Sequence, residues 1–134
     1  MTEEELLQQP EDAYMNEEQK AYFNRLLHQQ REELQNHIDS AVEALSQYES
    51  SSDPADMGSM EEQRQSHLRM LEREKKLLAK IDHALHLLAL DEYGWCEQTG
   101  EPIGLPRLLL RPTATLSIEA KERQERLDKH QRKN

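Results

Sequence analysis

Three groups of residues in this chain have types and spacings that do chemistry. Asp53 and Asp56 bracket Pro54-Ala55, between two long helical stretches. Two carboxylates at the end of a thin helical projection can enter a deep channel and act near bound Mg²⁺ or basic loop residues. The plain alternative is a turn, since Asp before Pro is ordinary turn chemistry and an acid near a helix start suits the dipole. Arg69, Arg73, Lys76 and Lys80 recur at spacings of 4, 3 and 4, within residues 64–80 that hold six bases against two acids. That local reversal of charge suits a phosphorylated effector, to which Arg and Lys donate charge-assisted hydrogen bonds. A solvated face with Glu72 and Glu74 as neighbours is the default for such a pattern.

The third group is defined by what is missing. A pair of Cys-x-x-Cys knuckles would place sulfurs at 96, 99, 117 and 120; this chain has Cys96, Thr99, Ser117 and Ala120. Structural zinc needs four ligands, and only Cys96 supplies a thiolate, so no zinc is expected. Cys96 then reads as a small, partly buried residue, with no local His or basic cluster to make it a reactive thiol. His83 and His86 share a helical face at i, i+3, but no third inward ligand joins them, so they read as a solvated or half-buried pair. No Gly-rich phosphate loop, nucleophile elbow or Ser/His/Asp arrangement is present, which leaves an enzyme reading without a basis.

The elements that must position these groups follow from periodicity. Residues 1–15 read as a mobile acidic arm, after which Asn16 with Gln19 forms a capping-box pattern. Leu27, Leu34, Ile38, Ala41, Leu45 and Tyr48 then recur at spacings of 7, 4, 3, 4 and 3, a heptad seam. Pro54 and Gly58 punctuate the tip at 50–58, and Ser59 with Glu62 suggests a second capping box. Met60, Leu71, Leu78, Ile81, Leu85 and Leu88 continue the seam to about Asp91, with Arg64, His67 and Glu74 weakening its first half. Two helices of about 33 residues, roughly 50 Å at 1.5 Å per residue, should pair antiparallel over residues 16–92.

Residues 93–134 form a different unit, resembling a degenerate treble-cleft zinc finger. Trp95-Cys96 and Pro102-Ile103 read as short strands around the Gln98-Thr99-Gly100 turn, and Ser117 to about Arg132 as a charged last helix. So small a unit needs a metal or outside support. The support expected is Leu105, Leu108, Leu109, Leu110, Leu116 and Ile118, docked where Leu85, Leu88 and Leu90 emerge from the hairpin. The fold class is mainly α: a long antiparallel coiled-coil hairpin, a small metal-free zinc-finger-like unit and a C-terminal helix.

Composition agrees with a thin molecule. Of 134 residues, 35% are hydrophobic and 33% charged, enough to line a helix–helix seam rather than fill a deep core. A net charge of −10 argues against wrapping of DNA or RNA. Charge is uneven: residues 1–50 carry 12 acids against 3 bases, and residues 121–134 carry 6 bases against 3 acids. One cysteine excludes an internal disulfide scaffold, and the acidic N-terminus is no signal peptide. No apolar run approaches the roughly 20 residues a membrane span needs. A cytoplasmic protein is expected.

Tyr14-Met-Asn-Glu17, Asp53-Pro-Ala-Asp56, Arg73-Glu-Lys-Lys76 with Lys80-Ile81, Tyr93-Gly-Trp-Cys96 and Gly104-Leu-Pro-Arg107 through Arg111-Pro-Thr-Ala114 together resemble the DksA/TraR family of bacterial RNA polymerase-binding transcription factors. The similarity covers roughly residues 13–125 and is to the short, cysteine-poor, zinc-independent branch. The resemblance implies a hairpin that enters the secondary channel of RNA polymerase and destabilises open promoter complexes. With the alarmone ppGpp, such proteins inhibit ribosomal RNA promoters and activate some biosynthetic ones. It carries the two tip aspartates onto Asp53 and Asp56, and ppGpp contacts onto Arg73, Lys76, Lys80 and Lys121. A docking arginine falls on Arg107, and of the zinc ligands only Cys96 matches. Two positions depart from the pattern, with Gly58 where the family has Ala and Met70 where it has Asn.

The expectation is therefore a monomeric transcription regulator, not an enzyme, that binds RNA polymerase and ppGpp and reads neither DNA sequence nor membrane. Two alternatives stand beside it: a coiled-coil adaptor with an inert tip, and an acidic-tip transcript-cleavage factor. A zinc-dependent DNA-binding finger is disfavoured by both ligands and charge.

Overall fold

The computed structural model describes residues 1–50 and 57–133. Helices α1 (Glu3–Gln8), α2 (Glu17–Ser50), α3 (Met57–Ala89), α4 (Leu105–Leu110) and α5 (Ile118–Lys133) follow in order, with a 3₁₀ turn at Glu11–Ala13. The chain divides into two compact units, one of residues 28–82 and one of residues 1–27 with 83–134.

The first of these units is a hairpin of α2 and α3. Arg31 Nε meets Asp82 Oδ1 at 2.6 Å, and His37 Nδ1 meets Glu74 Oε1 at 2.7 Å. Six residues forward on α2 thus answer to eight back on α3, which makes the helices antiparallel. The heptad positions Ile38, Leu71 and Ile81 are 4, 7 and 2% exposed and form the seam. Between Ile38 and Leu71 along the chain no described side chain is fully buried. The polar seam positions Arg64, His67 and Glu74 are half-buried, as their weakening of the pattern implied.

Asp53 and Asp56 lie outside the described residues. The second capping box is corrected: α3 begins at Met57, so Ser59 and Glu62 sit inside its first turns. Gly58 also lies within that helix, and a Cβ there would meet nothing within 4 Å.

The second unit is built on the ends of the long helices. Leu6, Phe23, Leu27, Leu108 and Ala120 are 0% exposed, and Ile103, Tyr93, Cys96, Ala84, Leu87 and Leu88 join them. The segment read as a mobile arm is folded. Thr2 and Glu5 form a reciprocal capping box on α1, which buries Leu6 completely. Downstream, Asn16 Oδ1 accepts from Gln19 N at 2.9 Å, as the pattern required, but the Gln19 side chain accepts from Met15 N instead of Asn16 N. Gln19 Nε2 also donates to Gln9 Oε1 at 2.9 Å, so this 1% exposed amide ties the N-terminal segment to α2.

At the other end, α3 stops in a paired C-cap. Glu92 N donates to Leu87 O at 2.9 Å and Asp91 N to Leu88 O at 3.2 Å, with Asp91 at φ 58. This is a Schellman motif with Asp where Gly is usual. The Asp91 carboxylate accepts from Lys20 Nζ at 2.8 Å, and this bond, with a second that Lys20 donates to Glu17, holds the Lys20 ammonium above its ordinary range.

Two expectations for the small unit are revised. The predicted strands reduce to one antiparallel bridge, Trp95 to Pro102, because Gly100 N takes the Cys96 carbonyl and Glu101 N turns to Thr99 Oγ1, so the bonds that would extend the ladder are used within the turn. The leucine cluster is split: Leu108 is fully buried, but Leu110 is 86% and Leu90 52% exposed, and Leu87 takes the place expected of Leu90. The run Leu105–Leu110 forms α4, a helix that no periodicity announced.

Candidate functional site

The four knuckle positions converge, but as a hydrogen-bonded corner. Cys96 N donates to Glu101 O and Gly100 N to Cys96 O, both at 2.8 Å, closing the turn that carries Thr99. Ser117 Oγ caps α5, accepting from Ala120 N at 3.2 Å. Burial alone would push the Cys96 thiol up. The Thr99 hydroxyl and the backbone N–H groups of Ser117, Thr99 and Gln98, all directed at Sγ, outweigh it and bring the thiol down to about 6 from 9.0. Ala120 has no donor atom and the Ser117 hydroxyl is engaged, so the residues present do not make the ligand set a structural zinc ion needs. Among the described residues no group of three or more His, Cys, Asp or Glu is placed to hold a metal. His83 finds a carboxylate instead, with Nε2 2.9 Å from Glu97 Oε1.

Beside this corner α4 presents Arg107. Its Nε donates to Leu116 O at 2.9 Å. Arg107, Arg111, Pro106, Leu110, Ile103 and Ile118 line one shallow groove, in which Leu110 and Ile118 are 86 and 48% exposed. The groove is thus mostly apolar and edged by the Arg107 and Arg111 guanidinium groups.

The basic face of α3 is intact. Arg69, Arg73, Lys76 and Lys80 are all exposed, and among the described residues none has an ion-pair partner, whereas Lys20, Arg31 and Arg64 each do. Arg73, Lys76 and Lys80 belong to the hairpin unit, and Lys121, half-buried in the first turn of α5, belongs to the other.

Sequence reasoning missed two tyrosines that organise the small unit. The Tyr14 hydroxyl donates to Gly94 O and accepts from Gly104 N at 3.0 Å, while its ring meets Trp95 edge-on at 5.2 Å. The buried Tyr93 hydroxyl donates to Pro112 O at 2.7 Å, and burial holds its pKa well above the usual phenol range. Their partners lie 19 to 90 residues away, so the quoted Tyr14-Met-Asn-Glu17 and Tyr93-Gly-Trp-Cys96 segments marked the two residues without showing what they bond.

The class of protein is defined by its combination of parts, a helical hairpin with an exposed basic face and, in the same chain, a zinc-finger-like unit lacking three of its four ligand sulfurs. Two family models divide the chain between them. The N-terminal domain of the DnaK suppressor protein DksA matches residues 19–88, and the prokaryotic dksA/traR C4-type zinc finger matches residues 91–126. The chain belongs to the DksA/TraR family.

Individual relatives agree. The RNA polymerase-binding transcription factor DksA of Caulobacter vibrioides (strain NA1000 / CB15N) is 43% identical over 120 residues, 89% of this chain and 84% of the relative. The factor of the same description from Escherichia coli (strain K12) is 39% identical over 116 residues, 85% of this chain and 76% of its own. The structure of transcription factor DksA2 from Pseudomonas aeruginosa superposes with a TM-score of 0.90 at 61% identity, over 96% of this chain and all of that one.

Proposed function

We propose that this chain is a transcription regulator that binds RNA polymerase in the cytoplasm, acts through the tip of its hairpin in the secondary channel, and destabilises open promoter complexes together with ppGpp. The observation that carries the reading is the end-to-end likeness to a transcription factor structure at 61% identity, spanning both the hairpin and the ligand-poor unit. In this reading Asp53 and Asp56 act at the tip, Arg73, Lys76, Lys80 and Lys121 contact ppGpp, and Arg107 docks the small unit on polymerase. Zinc has no part in it, since three of the four knuckle positions are Thr99, Ser117 and Ala120. No described helix is long and apolar enough to cross a membrane, which agrees with a partner reached from solution.

The test is open-complex lifetime at a ribosomal RNA promoter, with purified polymerase and either wild type or Asp53→Asn/Asp56→Asn. Shortening by wild type alone, with both proteins bound equally, supports action at the tip. Binding without any effect on lifetime would favour an adaptor with an inert tip. Release of cleaved RNA from a backtracked complex would favour the transcript-cleavage alternative.

A further inference from the structure

The small helix α4 cannot orient itself. It has six residues, far below the length at which a helix holds in water. Its N-cap is Gly104, at φ 98 and ψ 141, which has no side chain to cap it. The direction in which α4 presents Arg107 and Leu110 therefore depends on anchors elsewhere in the unit. Leu108 buries one face completely, and Arg107 Nε holds Leu116 O. Both anchors act at or beyond the third residue, and neither fixes the helix entry.

Tyr14 does. Its hydroxyl takes the Gly104 N–H at 3.0 Å and gives its own proton to Gly94 O. The Gly94 carbonyl also accepts from Ile103 N at 2.8 Å, next to the helix entry. One phenol therefore ties both ends of the Gly94–Gly104 loop together, and α4 begins where that loop closes. Met15 presses on the same point, since a Cβ on Gly94 would lie 2.9 Å from its Cγ and Sδ.

We infer that Tyr14 is a positioning residue for polymerase docking: its hydroxyl pins the Gly104 N-cap and so sets how α4 presents Arg107. This rests on the reading of Arg107 as a docking residue. Tyr14 itself touches no partner in this scheme and acts only through α4.

The experiment is a double-mutant cycle on affinity for purified RNA polymerase, with wild type, Tyr14→Phe, Arg107→Ala and the double variant. Phenylalanine keeps the ring edge-on to Trp95, the chain's one tryptophan, so its emission should stay unchanged. Tyr14→Phe is expected to weaken binding about fivefold, the fold-change equivalent to the net worth of one hydrogen bond. In the Arg107→Ala background the loss should shrink below about twofold, the signature of coupled sites.

Wild-type affinity for Tyr14→Phe beside a weakened Arg107→Ala overturns the positioning role and leaves the docking reading standing. An undiminished loss in the double variant also overturns it, by placing the effect elsewhere. Full affinity for Arg107→Ala sinks the docking reading and the inference together. Amide exchange keeps the test decisive if Tyr14→Phe is less stable. Faster exchange at Gly104 and through α4, with Leu27 and Ile81 unchanged, supports positioning, and uniform acceleration overturns it.

Discussion

His37 Nδ1 lies 2.7 Å from Glu74 Oε1 across the hairpin, with the His37 side chain 60% exposed and the Glu74 side chain only 14%. The partnership is unequal. Glu74 Oε2 is buried without a hydrogen-bond partner among the described residues, so the carboxylate gives up hydration that one contact only partly replaces. Removing the carboxylate should help the fold, and removing its partner should harm it. Glu74→Leu is expected to raise stability by about 1 kcal/mol, as buried ionic groups often yield to packed apolar ones. His37→Ala should lower it by roughly 1–3 kcal/mol by leaving the buried acid alone. Urea unfolding measures both, and the same sign for the two variants would refute the account.

The α3 terminus offers a second test. Asp91 holds a left-handed conformation that costs a non-glycine residue roughly 1 kcal/mol, and its carboxylate bonds Lys20 in return. Asp91→Ala keeps the backbone cost and loses the bond. Asp91→Gly loses the bond but relieves the backbone. The glycine variant should therefore be more stable than the alanine variant by about 1 kcal/mol, read from urea midpoints at constant slope. Equal midpoints would mean that the positive φ carries no cost here.

What could be read in advance was whatever rests on local repetition. The heptad seam predicted Ile38, Leu71 and Ile81 as core, and Ser117 was legible as the start of α5 because its hydroxyl serves its own helix. The same local logic misfired at Ser59, where a capping pattern lies inside a helix already begun at Met57. In the first residues the signal is present but slight. Thr2-Glu3-Glu4-Glu5 is a capping box, but a single buried residue, Leu6, gives no period to notice. Helix α4 is too short for any period, and the Tyr14 bonds span 80 and 90 residues, a distance no local rule crosses. The candidate site divides likewise. Its charged residues could be carried over from family motifs, whereas the groups that orient Arg107 emerge only from the folded unit.

Cys96 makes stability depend on pH with a definite sign. Its thiol is brought down to about 6 in the folded chain from 9.0, because the Thr99 hydroxyl and three backbone N–H groups outweigh its burial. Between those values the unfolded chain binds more protons, so stability rises with pH through this window. The contribution is complete above about 9 and lost as pH falls through about 6. Wild type should become more resistant to urea from pH 6 to pH 9, and Cys96→Ser, which has no titrating group there, should show a flatter profile. A strong chelator should leave both midpoints unchanged. Parallel profiles for the two proteins would remove the thiolate from the account, and unfolding by chelator would restore a metal to it.

The unpaired bases on α3 support the last prediction. Arg73 and Lys76 are exposed, have no ion-pair partner among the described residues, and stand in an acidic protein whose other bases are in part neutralised by Asp82, Asp91 and Glu61. A base already paired must break that bond to receive an anion, whereas these two lose only water. Arg73→Ala with Lys76→Ala should therefore leave the hairpin's melting unchanged, because neither side chain holds the seam. In the proposed role it should also leave ppGpp-free promoter inhibition near wild type while reducing the extra inhibition by ppGpp about tenfold or more, the worth of two charge-assisted hydrogen bonds at polymerase. Titration of ppGpp in the open-complex lifetime assay gives the answer. An unaltered ppGpp response would assign these residues to a solvated face, and loss of inhibition without ppGpp would assign them to polymerase contact instead.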